Sequence, residues 1–248
     1  MKFEGLIFDF GFTLFEFKDA SVKNYLKSYK KGLDKSIVKL KEYKVIENND
    51  TEKLFIDKFN RERSSNFKNS IKTKREFPTH IIFHSIIEKL GLRKLDHEHY
   101  QELADLYHYH EEQQWIPLEN TKKTLEILSN HKNLKMAVLS NHPNHKTIEN
   151  LLKKYKIYHF FDTVVTSAKF GMRKPDPGIF HYTMKQMGLK DPSLCLIIGD
   201  EYADIIGGHR AGLKTILYKR MIRFPYEKEI EINDYIEIND ISEILYHI

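Results

Sequence analysis

The side chains best able to do chemistry in this chain stand where short apolar runs stop. Gly5-Leu6-Ile7-Phe8 leads into Asp9, and Lys135-Met136-Ala137-Val138-Leu139 leads into Ser140 and Asn141. Leu194-Cys195-Leu196-Ile197-Ile198-Gly199 ends in Asp200, with Asp204 four residues on. Between the last two runs lies Lys174, before Pro175-Asp176-Pro177; the first proline forces an extended backbone at the lysine, and the second suits a helix start. Runs this short and apolar read as strands buried on both faces of a parallel sheet. Ligands of such sheets collect beyond the carboxyl ends of the strands. One edge would therefore carry a carboxylate, a hydroxyl, an ammonium and a second acidic pair. A carboxylate attacks an anionic phosphate ester only where cations cancel charge on the transferring group. Magnesium is one such cation, taking about six oxygen ligands and commonly one or two carboxylates.

Each residue also has a plainer reading. Asp9 fits a capping Asp after a strand, and Ser140, with Asn141 and Pro143 behind it, fits the start of a helix through Thr147–Leu152. Lys174 shares its stretch with Lys169, Arg173 and Lys185, which read as solvated. Asp200 and Asp204 fit the acid-rich first turn of a helix, at its positive dipole end.

Taken in series, the runs resemble the four motifs of the haloacid dehalogenase superfamily of hydrolases, over roughly residues 1–16 and 113–218. The resemblance implies a magnesium-dependent phosphomonoester hydrolase acting on a small phosphorylated metabolite. In that reading one oxygen of Asp9 attacks phosphorus to give an aspartyl-phosphate and the other binds the metal. The Gly11 carbonyl and Asp200 complete the metal contacts, with Asp204 as ligand or just behind. Ser140 and the Asn141 amide would hold the phosphoryl oxygens, and Lys174 would neutralise charge between phosphate and Asp9. The enzymatic rival is a metal-independent haloacid dehalogenase, against which Gly199-Asp200 counts; the non-enzymatic rival is a catalytically degraded binding protein.

Gly11 departs from the phosphatase pattern, in which a second Asp two residues after the nucleophile protonates the leaving alcohol. Losing such an acid costs on the order of 10²–10⁴ in rate. The expectation is a substrate whose leaving group needs little help, or a replacement acid, with His142 the first to consider. Gly11→Asp would restore the acid if the backbone and Phe12 leave it room.

The elements that must position these residues are an α/β core of doubly wound, Rossmann-like type and an inserted α-helical cap. The core is expected at 1–16 and 113–248 and the cap at 17–112, with helices near 19–44, 50–72, 79–90 and 96–112 and breaks at 48–50, Phe77-Pro78 and Gly91. The second core segment reads as Trp115–Leu118, a helix near 119–130, the strand to Ser140, a strand at Lys214–Tyr218, an edge strand at Tyr235–Ile238 and a short helix. Leu26, Tyr29, Leu33, Ile37 and Leu40 form a helical apolar stripe that outweighs a nucleic-acid reading of the Lys-rich stretch 23–44. Cap residues Arg61, Arg63 and Arg75 are candidates for holding a second anionic group, against exposed helix arginines as the alternative. His97/His99 and His108/His110, spaced by two, point to different helix faces and read as structural or exposed. His80 and His84 have ligand spacing but no completing acid or thiol beside them.

The 248 residues suffice for a sizeable core, and 40 basic against 35 acidic residues give +5, mostly as a solvated mixed surface. The single cysteine, Cys195, rules out an internal disulfide and fits a reducing compartment. With no basic-then-apolar leader and no apolar run near about 18 residues, the expectation is a cytoplasmic, soluble monomer or homodimer with no nucleic-acid or membrane partner.

Overall fold

A computed structural model describes residues 3–220, 222 and 227–248; the rest of the expected core lies outside the described residues. In chain order the elements are β1 (Gly5–Phe8), β2 (Phe15–Phe17), α1 (Val22–Glu42), α2 (Asn49–Thr73), α3 (Thr79–Lys89), α4 (His97–Glu112) and β3 (Trp115–Pro117). Then follow α5 (Thr121–Ser129), β4 (Lys135–Ser140), α6 (His145–Lys154), β5 (Thr163–Thr166), α7 (Ser167–Phe170), α8 (Pro177–Gln186), β6 (Cys195–Gly199), α9 (Tyr202–Arg210), β7 (Lys214–Tyr218) and β8 (Ile236–Ile238). A 3₁₀ turn at Ile241–Tyr246 closes the chain.

Six strands form one sheet in the order β5-β4-β1-β6-β7-β8, every pairing parallel. Alternate residues along a strand face opposite sides, and both sides are buried here. Leu6, Phe8, Met136, Val138, Leu196 and Ile198 pack into one core with residues of α5 and α6. Ile7, Ala137, Leu139, Cys195 and Ile197 pack into another with Ile179, Phe180 and Met184 of α8. Central strands buried on both faces leave polar chemistry only their ends, which is why the apolar runs were informative.

Helices α1 to α4 enclose a third core built on Leu33, Ile37, Leu40, Phe55, Phe59, Phe83, Ile86 and Leu103. Their bounds follow local signals: Ser21 caps α1 by accepting from the Asn24 amide (3.2 Å), and Asn48 caps α2 by accepting from Thr51 (2.9 Å). Leu26 breaks the expected stripe. It is 54% exposed, because the first turns of α1 pack Tyr25 towards the β2–β3 ribbon instead.

That ribbon is absent from the sequence reading. β2 pairs antiparallel with β3, Phe17 opposite Trp115, where the chain leaves and re-enters the core, so the expected division at 16/17 falls inside β2. Among the described residues no helix is long and apolar enough to cross a membrane.

Candidate active site

β1 delivers Asp9 to the carboxyl edge of the sheet, where the Asp9 amide donates to the Ile198 carbonyl (2.8 Å) and extends the pairing one residue past the strand. Phe8 pairs with Val138 and with Ile198, so Asp9, Ser140 and Asp200 emerge from adjacent strands. Lys174 reaches in from the loop before α8 and is 3% exposed, so the plainer alternative that grouped it with solvated neighbours falls away. Its ammonium donates to Asp9 Oδ1, to Asp204 Oδ1 (2.6 Å) and to the Leu139 carbonyl (3.0 Å). Three donors meet three acceptors, which fixes the ammonium against Asp9. Burial opposes that charge, but Asp204 and Asp9 hold the Lys174 pKa far above its ordinary value.

Asn141 acts on the backbone of Lys174. Its Oδ1 accepts from the Lys174 amide (2.8 Å) and its Nδ2 donates to the Lys174 carbonyl (3.1 Å). The Asn141 side chain is thus committed to placing the lysine, while the expectation for the phosphoryl oxygens concerns its backbone amide. The cap of α6 is Asn144, not Ser140, so the capping reading of Ser140 falls away. Asp204 partly keeps its helical role: it and Glu201 form the capping box of α9. Gly199 permits this, since a Cβ there would lie 2.2 Å from the Asp204 carboxyl carbon.

Asp9, Asp200 and Asp204 bring carboxylate oxygens within 4.8 Å of one another, all buried. Burial raises Asp200 well above the ordinary range, with Asp9 adding to the effect, and pushes Asp204 up to about 7 against the pull of Lys174. Buried hard oxygens with surplus negative charge fit a divalent metal ion, and Asp9, Asp200 and Asp204 are the residues grouped closely enough to hold one. Two partners of Asp200 escaped the sequence reading. Thr13 Oγ1 donates to Oδ1 (3.2 Å), and Arg220 pairs with Oδ2 while also pairing with Glu227.

Gly11 is crowded. A Cβ there would stand 2.9 Å from Cη2 of Trp115, a buried ring held edge-to-face by Phe10, Phe12 and Phe17. The indole takes the space an acid would need, which corrects the expectation that Gly11→Asp restores one.

His142 is not a free acid either. Its Nδ1 donates to the Asn144 carbonyl (2.7 Å), and its Nε2 lies 3.3 Å from Glu111 Oε1. The other Glu111 oxygen lies 2.6 Å from His108 Nδ1, whose Nε2 meets the Thr79 hydroxyl (2.8 Å). Glu111 is therefore shared between His108 at i,i+3 and His142 across the chain, a buried cluster that helix spacing among histidines alone could not disclose. Burial disfavours both charges of the pair, yet His142 and His108 hold Glu111 far below the carboxylate range, and Glu111 raises His142. Burial lowers the His108 pKa against the pull of Glu111. Beside this cluster, Glu76 binds Arg173 (2.6 Å) and Ser167, and the Thr79 amide donates to the Pro143 carbonyl (3.0 Å), tying the α2–α3 link to the loops at the sheet edge. Arg61 is exposed on Asp57, and Arg75 bridges Met172 through its backbone. His80, His84 and His97 line a separate cavity of about 290 Å³ with Leu95 and Tyr100.

Residues 6–218 match the family described as haloacid dehalogenase-like hydrolase, and the chain belongs to that family. Among curated relatives, the glyceraldehyde 3-phosphate phosphatase of Methanothermobacter thermautotrophicus is 35% identical over 131 residues, 52% of this chain and 57% of that protein. The phosphoglycolate phosphatase of Aquifex aeolicus is 40% identical over 98 residues, 38% of this chain and 43% of that protein. The chain thus spans about half the length of these relatives. Among solved structures, a 2-haloacid dehalogenase from Pseudomonas syringae pv. Tomato superposes with a TM-score of 0.64 at 18% identity, over 98% of this chain and 96% of that one. A phosphatase of the same superfamily from Thermococcus onnurineus gives 0.57 at 20% identity, with the same coverage. These likenesses speak to the fold.

Proposed function

We propose that the protein is a magnesium-dependent phosphomonoester hydrolase for a small phosphorylated metabolite, with Asp9 as nucleophile. The observation that carries this reading is the Lys174 ammonium held between Asp9 and Asp204, with Asp200 beside them. Asp9 attacks phosphorus, the P–O bond to the leaving group breaks, and the phosphoryl group is carried as an acyl-phosphate on Asp9. Water then attacks that phosphorus, releasing phosphate and restoring the carboxylate. Lys174 orients Asp9 and offsets negative charge as the two anions meet, and Ser140 with the Asn141 amide holds phosphoryl oxygens. Bound magnesium supplies Lewis-acid neutralisation of the phosphoryl oxygens. The leaving oxygen takes its proton from water, because Trp115 fills the space beside Gly11 and both nitrogens of His142 are engaged. Aryl, acyl or anomeric phosphates should thus be turned over faster than primary alkyl phosphates.

We propose the division into core and cap as expected from the sequence, moved to spare the β2–β3 ribbon, with the cap closing over the substrate. One observation favours the dehalogenase reading: Arg220 already brings a cation to Asp200. Rates on phosphoesters and haloacids, with magnesium and with chelator, separate the two. Chelator-sensitive phosphoester hydrolysis is expected, and full haloacid turnover in chelator would overturn the assignment.

A further inference from the structure

The four residues between β4 and α6, Asn141 to Asn144, form no regular structure, yet the groups assigned above to the phosphoryl oxygens depend on them. Ser140 precedes them, the Asn141 amide opens them, and the Asn141 side chain brackets the Lys174 backbone. What holds them comes mostly from the helical layer. The Thr79 amide at the start of α3 donates to the Pro143 carbonyl (3.0 Å), and Glu111 of α4 lies 3.3 Å from His142 Nε2. From the core, the Ala168 amide and the Ser167 hydroxyl reach the His142 carbonyl at the longer distances of 3.3 and 3.4 Å.

Asn144 stands at the N-cap of α6, where an Asn side chain ordinarily accepts from the first amides of its own helix. It makes no such bond. Both ends of its side-chain amide are spent on α4 instead: Oδ1 accepts from Gln101 Nε2 (2.9 Å) and Nδ2 donates to Asp105 Oδ1 (2.9 Å). The Asn144 carbonyl accepts from His142 Nδ1 (2.7 Å), so α4 grips the loop at both His142 and Asn144. Asp105 also accepts from Gln101 (3.0 Å) and from Lys146 on α6 (2.6 Å), which fixes it between the two helices. Arg63 of α2, stacked over the Tyr29 ring at 4.2 Å, adds its attraction to the Glu111 carboxylate.

We propose that Asp105 and Glu111 are positioning residues of the hydrolase: from α4 they fix the 141–144 loop, and through it the Ser140 hydroxyl, the Asn141 amide and the Lys174 ammonium. This rests on the hydrolase reading above. Without Asp105, Asn144 is free to turn back and cap α6, and the loop moves with it. A shift of about 1 Å in such groups costs on the order of a hundredfold in rate. The loss falls on the phosphoryl group, which every substrate shares, and is blind to the leaving group.

The test compares Asp105→Ala, Asp105→Asn and Glu111→Gln with the wild type in magnesium, with thermal melts to establish folding. The Asp105 side chain is 21% exposed, so its replacement spares the core. Asp105→Ala and Glu111→Gln should lower kcat/KM for phenyl phosphate and acetyl phosphate alike, by about tenfold to a hundredfold. Asp105→Asn keeps the oxygen that Asn144 and Gln101 share and should recover most of the loss, although it weakens the Lys146 contact as Asp105→Ala does. Wild-type kcat/KM in Asp105→Ala or in a folded Glu111→Gln, a loss that Asp105→Asn fails to recover, or a fall confined to one of the two leaving groups overturns the proposal. Hydrogen exchange reads the same positioning without turnover. In Asp105→Ala, peptides covering 140–146 and 170–176 should exchange faster than in the wild type while β1 and β6 stay protected; unchanged exchange in both peptides overturns the proposal. Absence of turnover in the wild type would count against the hydrolase reading, and exchange would still decide whether α4 holds the loop.

Discussion

Two buried charge clusters are built in different ways. At the sheet edge, Asp9, Lys174 and Asp204 come from a strand end, a loop and the first turn of α9, and topology brings them together. Under the helical layer, Glu111, His108 and His142 meet because α4 lies against the start of α6. The first brings three carboxylates around one ammonium; the second sets one carboxylate between two imidazoles.

Breaking the first cluster should have the larger effect. Lys174→Gln leaves Asp9 and Asp204 buried without their shared cation, and is expected to cost about 3–5 kcal/mol of stability and on the order of 10³ or more in kcat. Chemical denaturation and initial rates measure both. Near-normal activity in a folded variant would deny the lysine its role.

Glu111→Gln breaks the second cluster, with an expected cost of about 3–5 kcal/mol near pH 6. Here the pH dependence carries a sign. His142 has a raised pKa, so its contribution is complete below its unfolded value and fades as pH rises through the folded one. Glu111 is depressed, so its contribution is present above its unfolded value and fades as pH falls through the folded one. Burial lowers the His108 pKa, so protonating it adds a loss on the acid side. The wild-type advantage over Glu111→Gln should therefore peak between the ordinary pKa values of Glu and His, about 4.5 to 6.5, in thermal melts across pH. A pH-independent difference would mean that the pair is not ionised.

Gly11→Asp is the next smaller effect. Overpacking against Trp115 should destabilise by about 1–3 kcal/mol and should not speed alkyl phosphate hydrolysis, whereas Gly11→Asp combined with Trp115→Ala should recover some rate on alkyl esters. Improvement by the single variant would show that the indole yields. Arg220→Gln is expected to be smallest, tightening divalent binding about threefold to tenfold by removing a competing charge from Asp200, read by Mn2+ titration without substrate. Unchanged or weaker binding would make Arg220 a support for Asp200.

The first cluster was largely legible because its residues are pinned by local signals. Apolar strands end at Asp9, Ser140 and Asp200, and the Asp176 cap with Pro177 sets the start of α8 just after Lys174. The second was not, since Glu111 lies 31 residues from His142 and no periodicity relates a helix face to a loop. For the same reason Thr13 and Arg220 at Asp200, and the Asn141 clamp on Lys174, escaped notice: each is an ordinary polar residue until a distant partner arrives. Trp115 read only as a strand start, and its pressure on Gly11 appears once β2 and β3 pair.

The most direct measurement of the central claim is beryllofluoride binding and phosphoester turnover by the wild type and Asp9→Asn, each in magnesium and verified by mass as undeamidated. Asn keeps the shape of Asp but is a poor nucleophile. The account predicts that the wild type hydrolyses phosphoesters and binds beryllofluoride as an acyl-phosphate mimic, while Asp9→Asn folds, melts cooperatively and does neither. Appreciable turnover by Asp9→Asn would contradict a phospho-Asp9 intermediate.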